Sequence, residues 1–263
     1  MSFYNSLFKF SDFVINVAWD VKHLMTKISP IRIAARKHFQ YENNEGVGKD
    51  LFIVLNGPSI KKQDLSKLKG RTTMFVNRGF THPLYAELQP KYHVFVDPKI
   101  LTGVWPIDWF EEIFELSPNV KIILPSEWFF YPIFAKYKED KRIYWIDWMV
   151  PFNSLGVSGT CFSFGILQKF ERILFTGFDA NGICHEMLKT SESHFYGSDP
   201  ELKQNTTEQF ALSMFAHAIH LHELNCLAKY CKKREIKIIN LTDGGLLDMF
   251  PRASFDDLYQ MNG

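Results

Sequence analysis

Several common chemistries are absent from this 263-residue chain. Its four cysteines, Cys161, Cys184, Cys226 and Cys231, show no CxxC spacing, so they read as reduced thiols and supply neither a disulfide frame nor a zinc site. No stretch approaches the roughly 20 consecutive apolar residues that span a bilayer. The first apolar segment is interrupted by Asp12, Asp20 and Lys22, which argues against a signal peptide. A net charge of +1 provides no drive toward nucleic acid, and no nucleic-acid-binding signature is visible. There is no GxGxxG fingerprint, which leaves nicotinamide or flavin binding without support. There is also no DxD motif, so a sugar-transfer chemistry would have to work without the usual carboxylate-held metal.

What is present is aromatic and globular. Hydrophobic residues make up 46% of the chain and aromatics 16%, with 25 Phe. The length suits one sizeable α/β domain, or one domain plus a small appendage. Residues 1–48 differ from the rest. Phe3, Leu7, Phe10, Val14, Val17, Val21, Leu24 and Ile28 recur every three or four positions, which places them on one helical face. Lys9, Lys22, Lys27, Arg32, Arg36 and Lys37 outnumber the acids of that segment. Such a helix, with Trp19, either lies in a membrane interface or packs on the domain or a second subunit. Residues 41–50, polar with Gly46 and Gly48, read as a linker.

From Leu51 onward the pattern alternates. Strands are expected at 51–55, 73–76, 92–96, 120–124, 142–146, 173–176 and 236–240. Helices are expected at 83–88, 108–116, 159–170 and 207–234. This alternation predicts a Rossmann-like, mostly parallel sheet with helices on both faces, in a domain running from residue 49 to 263.

Polar residues cluster just after the predicted strands, where open α/β sheets bind ligands. The first strand ends in Asn56-Gly57-Pro58-Ser59. Gly57 has no Cβ and allows close backbone approach, and Asn56 both donates and accepts hydrogen bonds. Asn77 and Arg78 follow the second strand, and Asp97 the third. Ser158 and Gly159 open a helix, a place suited to an anion. Gly177 and Asp179 follow the sixth strand. Together they outline a cleft for a nucleotide or nucleotide sugar. His194 lies in a polar loop, SESHFYGSDP, and a loop histidine can serve as a general base. His217, His220 and His222 fall within the last helix. With no HExxH-type acid beside them, packing or solvent-facing roles outweigh metal ligation.

These motifs carry a resemblance. NGPS after the first strand, Asn after the second, SG at a helix start, a strand ending in TGFD, and SHFYG resemble the bacterial sialyltransferases of glycosyltransferase family 42. The skeleton is also similar to a wider group of motility-associated and pterin-pyrophosphokinase-like proteins. The tail, IINLTDGGLLDMFPR, is like that group's tails. The resemblance spans roughly residues 50–255. It implies a metal-independent transfer of sialic acid or a related acidic sugar from a CMP-sugar donor, with no cofactor. The acceptor would be a bacterial surface glycan or glycolipid, such as lipooligosaccharide or capsule. It further implies a cytoplasmic enzyme, with association to the inner membrane face and homo-oligomerisation as further expectations. Under it, Asn56, Gly57, Ser59, Asn77, Ser158, Gly159 and Asp179 contact the nucleotide or donor, and His194 takes the acceptor proton.

The chain departs from the family twice. Asp97 stands where those enzymes have Asn. The two tyrosines that follow their GxD segment are missing, leaving His185, Lys189 and Tyr196 as substitutes. Two rival functions share the skeleton. One is a Mg²⁺-dependent pyrophosphokinase-like enzyme using Asp97 and Asp179. The other is a non-catalytic peripheral membrane assembly protein.

Overall fold

A computed structural model describes residues 43–146, 156–188, 193–198 and 206–257, the segment 28–38, and Ser6, Leu7, Lys9, Phe10, Phe13, Val14, Val17, Val21, Leu24 and Met25. Seven strands form one sheet: β1 (Asp50–Val54), β2 (Thr73–Val76), β3 (Tyr92–Val94), β4 (Lys121–Pro125), β5 (Ile143–Ile146), β6 (Arg172–Thr176) and β7 (Lys237–Asn240). Their order is β5-β4-β3-β2-β1-β6-β7, and every pairing is parallel. The strands are near-continuous runs of buried apolar residues, as parallel strands covered on both faces must be.

The period-2 alternation of side chains splits the core in two. Phe52, Val54, Phe75, Ile122 and Trp145 face one layer with Tyr85, Leu88, Phe110 and Ile113. Those last four come from α2 (Tyr85–Leu88) and α3 (Trp109–Leu116). Leu51, Ile53, Met74, Val76 and Ile173 face the other layer with Phe162, Phe164, Leu224 and Leu227. These belong to α4 (Val157–Leu167) and α6 (Thr207–Lys233). Helix α6 starts at a capping box: Thr206 Oγ1 accepts from Gln209 N at 3.2 Å, and Gln209 Oε1 accepts from Thr206 N at 2.9 Å. A shorter helix, α5 (Gly182–Leu188), follows β6. The architecture is therefore the expected Rossmann-like α/β sheet, parallel throughout.

Two expectations need correction. The stretch anticipated as a linker is anchored to the domain at Glu45 and Gly46, while Asn43, Asn44 and residues 47–49 are exposed. Glu45 accepts from Tyr92 Oη at 2.7 Å and Tyr144 Oη at 2.9 Å, and pairs with Lys91 at 2.6 Å. Burial pushes its pKa up, but these three partners outweigh burial and hold the carboxyl below its ordinary value. The second correction concerns the helix expected to start at Gly159. Its N-cap is Gly156, so Ser158 and Gly159 lie inside the first turn of α4.

Near the N-terminus, helix α1 (Pro30–Ala35) packs on the short 3-10 turn Ser126–Phe130. Arg32 Nη2 donates to Glu127 Oε1 at 3.1 Å, and His38 stacks on Phe129. Before it, the described residues from Ser6 to Met25 are helical. Their apolar side chains do not pack on the domain: Phe10, Phe13, Leu24 and Met25 are at least 60% exposed. No helix among the described residues is long and apolar enough to cross a membrane.

Candidate active site

The sheet reverses its winding between β1 and β6. Strands β2 to β5 lie to one side of β1, and β6 and β7 lie on the other. Ligands of open α/β sheets bind outside the carboxyl ends of the strands at such a switch point. Here the turns after β1 and β6 are fastened together. Leu55 N donates to Thr176 O at 2.9 Å and Gly57 N to Gly177 O at 2.8 Å. Ser59 donates to Asp179 Oδ2 from its backbone N–H at 3.3 Å and its hydroxyl at 3.1 Å. A Cβ on Gly57 would overlap the Asp179 carboxylate and fall 2.5 Å from Gly177 O. The close approach that this glycine permits is thus to the β6 turn. The tail closes the same turn from the other side, where Thr242 Oγ1 accepts from Phe178 N at 3.2 Å.

Asn56 and Asn77 follow the adjacent strands β1 and β2. The Asn56 amide reaches across, its Nδ2 donating to Val76 O at 3.2 Å. Its Oδ1 points at the turn carrying Asn77, 3.2 Å from where a Cβ on Gly79 would sit. Asn77 is left-handed, with φ +48°, a conformation asparagine tolerates better than most residues. His93 holds it there. The imidazole Nε2 donates to Asn77 O at 2.8 Å, which leaves Nδ1 to accept from Tyr85 Oη at 2.9 Å. Burial pushes the His93 pKa down to about 3, so the ring is a neutral prop. Asn56 Oδ1 and Asn77 Oδ1 are both buried, and neither has a donor among the described residues. A buried carbonyl without a donor costs about 1–3 kcal/mol, a cost that a ligand N–H would relieve.

The His194 loop closes over these turns. Phe195 N donates to Asn56 O at 2.9 Å, and the Phe195 ring lies 5.2 Å from that of His82. His194 and Gly197 exchange backbone hydrogen bonds at 2.9 and 3.1 Å, making a tight turn that stacks His194 on Tyr196 at 4.9 Å. The Arg78 guanidinium lies 5.0 Å from the Trp109 ring, 5.9 Å from Trp105 and 6.0 Å from Tyr196. Arg78 is therefore set in an aromatic cluster at the end of β2, joined to the His194 loop through Tyr196.

The remaining expected residues fall around this centre. Asp97 follows β3 and caps the next turn, its Oδ1 accepting from Lys99 N at 2.9 Å. Ser158 and Gly159 are buried in the first turn of α4, and Ser158 Oγ lies 3.3 Å from His220 Nε2. A Cβ on Gly156 would fall 2.7 Å from His220 Cε1, so that glycine makes room for the ring. Burial, and then the neighbouring His217, push the His220 pKa down to about 4. His217 Nδ1 donates to Ser213 O at 2.9 Å. Among the described residues no three His, Cys, Asp or Glu side chains gather as metal ligands. His185 lies on α5, and Lys189 is outside the described residues. A cavity of about 510 Å³ lies at the opposite end of the sheet, lined by Lys49, Asp50, Arg71 and Arg172. It sits at the amino ends of β1 and β6, where the Asp50–Arg172 ion pair closes the edge.

A solved structure of similar fold is that of the MAf glycosyltransferase from Magnetospirillum magneticum AMB-1, with a TM-score of 0.51 over 86% of this chain. The chain shares its α/β fold with that protein. Identity to that protein is 11%, and the match covers 38% of its length, so the likeness speaks for the fold alone. No family model and no curated protein matches the chain.

Two participants in this centre were not singled out from the sequence, His93 beneath Asn77 and the backbone tie from Phe195 to Asn56, and the packing role expected of His220 did not extend to its contact with Ser158. His220 and Ser158 are 62 residues apart, and no local pattern joins them. The strand-like context of His93, within the apolar run YHVFV, was the one available signal for a buried, neutral ring.

Proposed function

We propose that this protein is a metal-independent glycosyltransferase that uses a CMP-activated acidic sugar and a bacterial surface glycan or glycolipid as acceptor. The observation that carries the reading is the pair of buried, donor-less carbonyls of Asn56 and Asn77 beside the switch point. They are suited to accept N–H groups of a nucleotide base or sugar amide. The fold shared with a glycosyltransferase supports the reaction class, and the motifs shared with sialyltransferases support the donor.

In this reading the acceptor hydroxyl attacks the anomeric carbon directly. A bond forms from its oxygen to that carbon as the bond from carbon to the CMP phosphate oxygen breaks. His194 takes the hydroxyl proton. The phosphate leaves toward the N-terminus of α4, where Ser158 and Gly159 sit and the N–H groups of a helix's first turn favour an anion. Asp179 keeps the β6 turn in place through Ser59. Arg78, held among aromatic rings, offers a cation on the same side as Tyr196.

The test is a thermal-shift panel of CMP, CDP, UDP, GDP and ATP, with and without Mg²⁺. A ligand that binds only the folded chain raises its melting temperature. The reading requires CMP to do so without Mg²⁺. A shift seen only with ATP and Mg²⁺ would replace it with phosphoryl or pyrophosphoryl transfer, and no shift from any nucleotide would remove the catalytic reading.

A further inference from the structure

The segment before α1 presents an apolar seam that the nucleotide site does not use. Leu7, Phe10, Val14, Val17, Val21, Leu24 and Ile28 are between 45% and 65% exposed. Backbone helicity reaches Ile28, whose N–H donates to Leu24 O at 3.2 Å. The helix then breaks at Ser29, where α1 begins with Pro30 and turns onto the domain.

We propose that this seam pairs with the same seam of a second copy, as a parallel two-stranded coiled coil. Three observations select that occupant. The spacing is 3-4-3-4-3-4 without exception from Leu7 to Ile28. That is the 3.5-residue period of a supercoil seam; a helix lying on a flat surface keeps the 3.6 period, and its apolar stripe drifts. Next, three of the four a positions, Val14, Val21 and Ile28, are β-branched, with Leu7 the fourth and Phe10, Val17 and Leu24 at d, and β-branched residues at a favour two parallel strands. Finally, charge does not direct the segment to an anionic surface. Between Leu7 and Ile28 the sequence has Lys9, Lys22 and Lys27 against Asp12 and Asp20, close to neutral, and Arg32, counted in the sequence as part of a basic face, is paired with Glu127 on the domain.

The geometry is sufficient for a stable contact. Three heptads span roughly 30 Å at 1.5 Å per residue. Seven half-exposed side chains, flanked by the exposed Phe13 and Met25, offer on the order of 700–800 Å² per copy, near the size of a standard interface. Such pairing is isologous, so it closes at two. It would hold the amino ends of both α1 helices together, with the two domains carried on one side.

Sedimentation-equilibrium ultracentrifugation of the full chain is the test, with Val14→Glu/Val21→Glu and Val14→Ile/Val21→Ile beside it. Wild type and the Ile variant are expected to be dimers. The Glu variant is expected to be a monomer with an unchanged domain melting temperature. Val14→Cys in a Cys184→Ser background is expected to cross-link to a dimer on mild oxidation, because residues of equal number meet only when the strands are parallel. A monomeric wild type, a Glu variant that stays dimeric, or no cross-link would overturn the proposal. So would a monomer that binds anionic vesicles through Val14 and Val21, which would assign the seam to a membrane surface.

Discussion

The backbone carbonyl of Asn56 accepts the N–H of Phe195 at 2.9 Å. One hydrogen bond thus fixes the loop bearing the candidate base to the turn bearing the candidate donor site, across 139 residues of sequence. The Asn56 side chain meanwhile reaches to Val76 O. The ends of β1 and β2 and the His194 loop are thus tied to one another.

Asn77→Gly separates binding from strain. Glycine adopts the left-handed conformation freely, and His93 bonds to the backbone carbonyl, which the substitution keeps. Removing the donor-less carbonyl relieves about 1–3 kcal/mol against about 0.5–1 kcal/mol of added chain entropy, so stability should not fall, while CMP affinity falls roughly tenfold, the worth of one good buried hydrogen bond. Chemical denaturation and isothermal titration calorimetry on the same sample check both halves.

Gly57→Ala should damage the fold. Its new Cβ would overlap the Asp179 carboxylate and force apart the β1 and β6 turns. Overpacking of this kind costs about 1–3 kcal/mol, which in a chain of this size lowers the melting temperature by roughly 3–10 °C. Adding Asp179→Ala removes the obstructing group and should recover part of the loss. Calorimetric melts of the single and double variants measure it.

Acid should destabilise the domain before its carboxylates titrate. His220 in the fold has its pKa pushed down from 6.5 to about 4, and His93 to about 3. Below pH 6.5 the unfolded chain takes up protons that the folded chain refuses, so stability is full above that pH and is lost as pH falls toward 4. At about 1.4 kcal/mol per unit, His220 alone should contribute a loss of about 3 kcal/mol across that window. Urea midpoints between pH 7 and pH 4 should fall, and His220→Gln should flatten the fall. A midpoint that does not change over this range would mean that these rings are reached by water.

The fold was legible because the parallel sheet writes itself as short apolar runs ended by turns. The 73–76 strand coincides with β2, and the other six strands overlap their expected segments to within two residues at either end. Turn chemistry also picked out the carboxyl end of the sheet, since Asn56, Ser59, Asn77, Asp97 and Asp179 all follow strands. What could not be read was contact across the switch point. That Gly57 faces Asp179, that Ser59 bonds to it, and that His220 touches Ser158 depend on crossovers that bring distant turns together. The packing of Glu45 under Tyr92 and Tyr144 escaped for the same reason: its partners lie 47 and 99 residues away, and locally it looks like a polar linker.

The most direct test of the proposed chemistry is His194→Ala, assayed for CMP affinity by titration calorimetry and for CMP release from CMP-N-acetylneuraminate in the presence of a surface-glycan acceptor. The half-buried His194 side chain stacks on Tyr196, and in the proposed mechanism it touches the acceptor and not the nucleotide. CMP affinity should remain within about threefold of wild type, while acceptor-dependent release falls roughly 10²–10⁴-fold, the usual contribution of a general base. Release that survives within a few-fold, or affinity and release that collapse together, would contradict the account.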